Sequence, residues 1–534
     1  MKRSLSFILS LALLAVSLFT LTPSLAEGTK SINVAITSDP EINFDDIGDS
    51  PNGFITSAVR EGLTRQGQNG TLTEGLAESY EHNDDYTQWT FHLRESGYSD
   101  GTPVTADDFV YAITAQLDGT YEVGYPDFLY EIKNARGVVR GTATADELGV
   151  KALDEKTVVF ELEYPVTYFP QLITHPMHFG YSRAHGESVG AENVGLEADT
   201  LIANGPYYIE SWVHDDNLVL KKNPYYWNRD NIAIDEIHVF IIPDETTRVN
   251  LFLNGELDVV DFDASRVGAI SAAGFTPLTY NNGRTTYVSF NLTSTGVKNQ
   301  KIRQALSAAI DRESLVAGVV RNGSTPADGF VPIGLAGDET LSFREVVGPT
   351  LNYPYDEANA AKLFAEGLQE EGIQASDITL SLLTSNATEN ATVSAALQQI
   401  WQEAFGITIN VDVLDSSSYR TRRNNYEYDI VFLSWGADSN DAANYLSGYE
   451  QTEDHDAPKY YSEAFNEAYL KGVYNTDIHD RVLDLGRSEA ILLEDAAIVP
   501  IYYTSQYYAV SSRLTGVERR AVIPYLDFYF ADVK

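Results

Sequence analysis

The stretch Tyr428–Asp441, YDIVFLSWGADSND, runs from apolar residues into a carboxylate. Ile430 to Gly436 carries one polar side chain, Ser434, and leads through Ala437 straight into Asp438. An acid at the end of a core strand has two readings. It can cap the helix expected around Ala442–Leu446, or form a turn with Asn440. It can instead be a charge placed for a ligand, because ligands of open α/β sheets gather at the carboxyl ends of strands. Gly436 and Ala437 are small enough to let a second backbone approach. Taken alone, these residues leave both readings open.

Signals for catalysis are weak. Gly97-Tyr98-Ser99-Asp100-Gly101 and Gly186-Glu187-Ser188-Val189-Gly190 both match G-x-S-x-G. A nucleophile elbow needs a buried strand before it and a helix after it. The first follows Arg94-Glu95-Ser96 and the second sits in a polar stretch, so neither is expected to be catalytic. His175, His178 and His185 are close in sequence, but their spacing fits no standard metal pattern and no acidic ligand is fixed among them. They are expected to be ordinary loop and core histidines. The chain has no H-E-x-x-H, P-loop or dinucleotide-binding glycine pattern, and neither a catalytic residue, a metal nor a cofactor is expected.

The elements that would position Asp438 follow an α/β grammar. Ser31–Thr37 reads as a strand, Gly53–Leu63 as a helix and Trp89–Leu93 as an alternating strand. Thr105, followed by Asp108, forms a capping-box pattern before the apolar stripe of Phe109, Ala112 and Ile113. KIRQALSAAIDRESLVAGVV, from Lys301, reads as one amphipathic helix ending at Asn322-Gly323. DEANAAKLFAEGL and ATVSAALQQIWQEAFG add two more helices, the latter followed by the strand ITINVDVL. Tyr428–Trp435 reads as a buried strand. No low-complexity linker separates independent domains, which suggests lobes whose segments cross back and forth.

Composition narrows the class. The 534 residues are 43% hydrophobic and 21% charged, enough for two or three lobes. Lys2 and Arg3, the apolar run Leu5–Leu21 and Ser24-Leu25-Ala26 read as a signal peptide cleaved after Ala26. Its loss removes two of 36 basic residues and none of 77 acidic ones, leaving a net charge of −43. Such a surface repels nucleic acid and anionic membrane. No later run reaches the roughly 18 apolar residues of a membrane span. With no cysteine there are no disulfides, no thiolate ligands and no diacylglyceryl-cysteine anchor. A soluble exported protein, periplasmic or extracellular, is expected.

Three stretches together resemble the extracellular solute-binding proteins of peptide ABC importers, the oligopeptide- and dipeptide-binding family. They are GLAESYEHNDDYTQWTFHLRESGYSDGTPVTADDFVYAI from Gly75, NGPYYIESWVHDDNLVLKKNPYYWN from Asn204 and VSFNLTSTGVKNQKIRQALSAAIDRESL from Val288. REGL at Arg60, FLNGELDVVDF at Phe252 and AAIVPIYYTSQYYAVS at Ala496 are lesser matches. Two features depart from the family pattern. No cysteine follows the signal peptide, and Ser99 stands where a histidine or similar residue more often precedes the D-G-x-P aspartate.

The resemblance implies an α/β fold of the periplasmic-binding-protein-like type II kind, with two main lobes, a hinge and an insertion lobe in the first. After the signal peptide (1–26), lobe I would comprise 27–72, 204–287 and 500–534. The insertion lobe would be 73–203, and lobe II 288–499. The implied function is a monomeric receptor that captures peptides, oligopeptides above all, between its lobes and delivers them to an ABC permease in the membrane.

Asp438, in the W-x-x-D run Trp435-Gly436-Ala437-Asp438, would then meet the peptide ammonium. Ser434, Gly436 and Ala437 could present backbone groups, while Trp435, Tyr502 and Tyr503 could line side-chain pockets. Arg422 or Arg423 could take the peptide carboxylate, since guanidinium binds carboxylates bidentately. The same fold could serve a sugar, metal chelate or haem, and the same cleft a chaperone-like or pheromone-sensing role. A secreted hydrolase using Ser99 or Ser188 is the competing class.

Overall fold

The computed structural model describes residues 28–42, 53–121, 123–124, 126–338, 340–450 and 459–534. The expected signal peptide, 1–26, lies outside them. Three larger sheets organise the described residues. The first has the order Ser31–Ile36, Glu236–Ile241, Asn217–Lys222, Tyr207–Val213, with only the first pair parallel. Alternate residues of Glu236–Ile241 are buried, as EIHVFI dictates for a strand with one face in a core. The second sheet is antiparallel and runs Ala77–His82, Gln88–Leu93, Thr157–Glu161, Val150–Asp154, within the stretch expected to form the insertion lobe. Its Trp89 and Phe91 pack with Phe160 and Phe169 in a core continuous with that of the first sheet. Beside it, Thr105 and Asp108 close the expected cap of the helix Ala106–Leu117.

The third sheet has seven strands. Leu278–Phe290 and Ile498–Val510, each 13 residues long, pair antiparallel along most of their length. At one end Ile498–Val510 also pairs with Val259–Phe262; at the other, Leu278–Phe290 pairs with Ile430–Gly436. Beyond lie Thr379–Ser385 and Thr408–Leu414, covered by the helices Gln300–Ala308, Glu357–Glu371 and Thr388–Phe405. The boundaries expected after 287 and 499 fall inside the two long strands.

Midway along Leu278–Phe290 the register slips between Asn281 and Arg284, so Asn282 and Gly283 bulge. Gly283 has φ +65°, and a Cβ there would lie 2.0 Å from the Ala521 carbonyl oxygen, so glycine is required.

Three expected elements differ. The helix from Gly53 ends at Val59, because the Glu61 N–H bonds the Asn204 side chain instead. The stripe from Lys301 is not one helix but Gln300–Ala308, Arg312–Leu315 and a π turn, Val316–Val320. Asp311 interrupts it by accepting the Ser314 N–H at 3.0 Å, a local cap that competes with helix continuation. The strand expected over Tyr428–Trp435 is Ile430–Gly436, and Ser434 and Trp435 are exposed rather than buried. Among the described residues no helix is long and apolar enough to cross a membrane.

Candidate functional site

Ile430, Val431 and Phe432 are buried, and the strand bonds Leu278–Phe290 on one side along its whole length. On the other side it pairs with Thr379–Ser385 only through Ile430 and Val431. Past that point the two parallel strands diverge, leaving Leu433–Gly436 without a strand on that side among the described residues. Ser434 is exposed there, as is Trp435 (43%). Such an edge offers backbone groups to an extended chain.

The edge runs into a loop held by its own neighbours. Ala437 donates its N–H to the Gly283 carbonyl at 3.0 Å. The buried Tyr445 hydroxyl lies 2.6 Å from that same oxygen and 2.7 Å from the Trp435 carbonyl. A Cβ on Gly436 would press on the Arg284 side chain at 3.1 Å. Asp438, half-buried, donates its backbone N–H to Asn444 Oδ1 at 3.0 Å, and its Oδ2 accepts from Asn444 Nδ2 at 3.5 Å.

Asp438 is not the helix cap. Asp441 accepts the Ala443 N–H at 2.8 Å and caps Ala442–Ser447. Asn440 turns its side-chain Oδ1 to Ala336, accepting that N–H at 2.8 Å. The loop thus gives the capping role to another residue.

The other candidates separate. Ser434, Trp435, Gly436, Ala437 and Asp438 come together in one strand end and loop. Tyr502 and Tyr503 do not line an open pocket, because their side chains are fully buried. Their hydroxyls donate to Glu389 and Asp328 at 2.8 Å each, and burial holds both phenols protonated. Arg422, on the helix Ser416–Asn424, is bonded to Asp412 at 2.9 Å and to the Glu427 carbonyl, which leaves it a poor partner for a ligand carboxylate. Asp412 stands level with Leu383 and Val431, so Trp435 lies four residues, about 13 Å, further along. Arg423 donates to the neighbouring Asn424 side chain.

Ser99 and Ser188 sit on no strand-to-helix elbow. The Ser99 hydroxyl accepts from Ala203 N–H, and the Ser188 hydroxyl, within the helix Arg183–Val189, donates to the His185 carbonyl. Burial pushes the His175 and His178 imidazoles down to about 3 and about 4, so both are neutral near pH 7. His175 stacks on Phe128 at 4.6 Å as a core ring. No group of three metal-ligating side chains gathers among the described residues.

Sequence reasoning passed over Asn444 and Tyr445, which hold the loop, and Asp441, whose place before Ala442-Ala443 is a legible capping signal.

The long paired strands, the open strand edge and the acid that follows it are consistent with a two-lobe solute-binding protein. The family profile described as "Bacterial extracellular solute-binding proteins, family 5 Middle" matches residues 71–456, and the chain belongs to that family. It is 27% identical over 508 residues to the oligopeptide-binding protein OppA of Bacillus subtilis, covering 92% of this chain and 91% of that one. The oligopeptide ABC transporter substrate-binding domain from Bacillus anthracis superposes with a TM-score of 0.76 at 28% identity, covering 95% and 99% of the two chains. Listeria monocytogenes OppA bound to peptide gives 0.75 at 25% identity, with the same coverage.

Proposed function

We propose that this chain is the extracytoplasmic substrate-binding receptor of an ABC importer, and that it captures peptides between its lobes for a membrane permease. The observation that carries the reading is the strand edge Leu433–Gly436, open on one side and leading into Asp438. An extended peptide added to that edge gains main-chain hydrogen bonds that do not depend on its side chains. Its ammonium end, once enclosed, requires an opposite charge, and Asp438 supplies it. The names borne by the relatives, and the peptide bound to the Listeria protein, support the same reading. Binding rather than catalysis is the activity.

The division into 27–72, 204–287 and 500–534 (lobe I), 73–203 (insertion lobe) and 288–499 (lobe II) belongs to this proposal. So does export with cleavage after Ala26 and no cysteine-borne lipid. Mass spectrometry of ligand released from the purified protein tests the ligand class; peptides are expected, and a sugar, chelate or haem overturns the reading. Titration with one peptide carrying a free or an acetylated amino terminus tests Asp438. Equal affinities for the two forms remove its role.

A further inference from the structure

The insertion lobe meets lobe II beside the candidate site. Arg481, on the helix Ile478–Glu494, places its guanidinium carbon 3.8 Å from the centre of the Tyr168 ring, which belongs to the insertion lobe. The same guanidinium donates both Nη groups to Asp441 at 2.8 Å each. Both partners of this ion pair are almost out of solvent. Tyr164 of the insertion lobe meets Tyr474 edge-on at 5.3 Å between ring centres. Asp441 caps the helix whose Asn444 holds the Asp438 backbone, so one guanidinium touches the insertion lobe and the support of the site together.

We propose that Tyr168 and Arg481 form a latch closing the insertion lobe onto lobe II around the bound ligand, and that Arg481 is a positioning residue for Asp438 through Asp441 and the helix Ala442–Ser447. The positioning half rests on the peptide reading above; the latch half does not. A cation over an aromatic face is held more strongly when dry, and a bidentate carboxylate–guanidinium pair keeps its strength only while water is excluded. The Tyr168 ring is part of what excludes it, and parting the lobes wets the pair.

The chain has no cysteine, so Leu153→Cys on the insertion lobe and Lys362→Cys on lobe II, both exposed positions, accept a spin-label pair cleanly. Interlobe distances are measured on the full chain alone and with a pool of synthetic tri- to hexapeptides bearing free amino termini. Tyr168→Ala is expected to lengthen the ligand-free distances and speed peptide release about tenfold, while Tyr168→Phe, which keeps the ring but loses the hydroxyl that also meets Arg481, falls between it and the unsubstituted protein. Unchanged distances and release in Tyr168→Ala overturn the latch. Arg481→Lys, checked for an intact melting transition, is expected to weaken peptide binding; unchanged affinity in that variant overturns the positioning role. If the pool leaves the unsubstituted protein unmoved and unbound, the peptide reading fails, and the latch is judged on the ligand-free distances alone.

Discussion

Two strands flank Leu278–Phe290 at the level of Thr285 and Thr286, and they treat their aromatic residues in opposite ways. On one side Tyr503 and Tyr502 stand opposite Thr285 and Thr286; on the other stand Trp435 and Ser434. The tyrosine strand has Thr325–Pro326 on its far side, whereas the tryptophan strand has lost its far partner beyond Val431. Tyr503 is 2% exposed and Trp435 43%. At this level the strand paired on both sides buries its aromatic rings, and the strand with an open edge leaves its ring exposed.

That contrast can be broken in four ways. Tyr503→Ala is expected to cost about 3–5 kcal/mol of stability, as large aromatic truncations in cores do, visible as a lowered denaturation midpoint. A loss of ligand affinity at unchanged stability would instead put both strands at the ligand. Asp438→Asn should leave stability nearly intact and weaken binding of free-amino-terminus peptides by about 2 kcal/mol or more, roughly 30-fold, in calorimetric titration. Affinity for the acetylated peptide should barely change. Trp435→Ala is predicted to weaken binding about fivefold, with stability within about 0.5 kcal/mol, because a half-exposed ring loses little on truncation. Arg422→Ala ranks last. Its partly exposed ion pair with Asp412 is worth less than about 1 kcal/mol, and affinity for peptides with free and amidated carboxyl ends should be unchanged; selective loss for the free form would return Arg422 to the site.

Local signals were legible where one residue decides the outcome. The helix from Glu357 runs three residues past the stretch read for it, to Glu371, whereas the Thr105–Asp108 cap and the helix ending at Gly406, in the left-handed region, follow directly from residue type. The break at Asp311 did not, because the apolar stripe continues across it and only a competing cap interrupts the backbone. Tyr502 and Tyr503 share an apolar run with Ile501 that reads alike for a core wall and a pocket wall; the neighbour that buries them comes from about 180 residues away. Arg422 was misplaced for a similar reason, since its carboxylate partner lies on the preceding strand and not in its own helix. At the site itself the strand, the small residues and the acid were all visible. The division of labour between Asp438 and Asp441, three positions apart, required the backbone path, and the contribution of the insertion lobe required tertiary contact.

The Gly283 carbonyl ties two parts of the molecule together. That oxygen sits in the bulge where the crossing strand changes register, and it also receives Ala437 and lies against Tyr445. Bulge and loop share that atom, so a bend at one would carry the other with it. If peptides are held at Asp438 as proposed, the strand's bend would then feel how well the loop is filled, without a relay of intermediates.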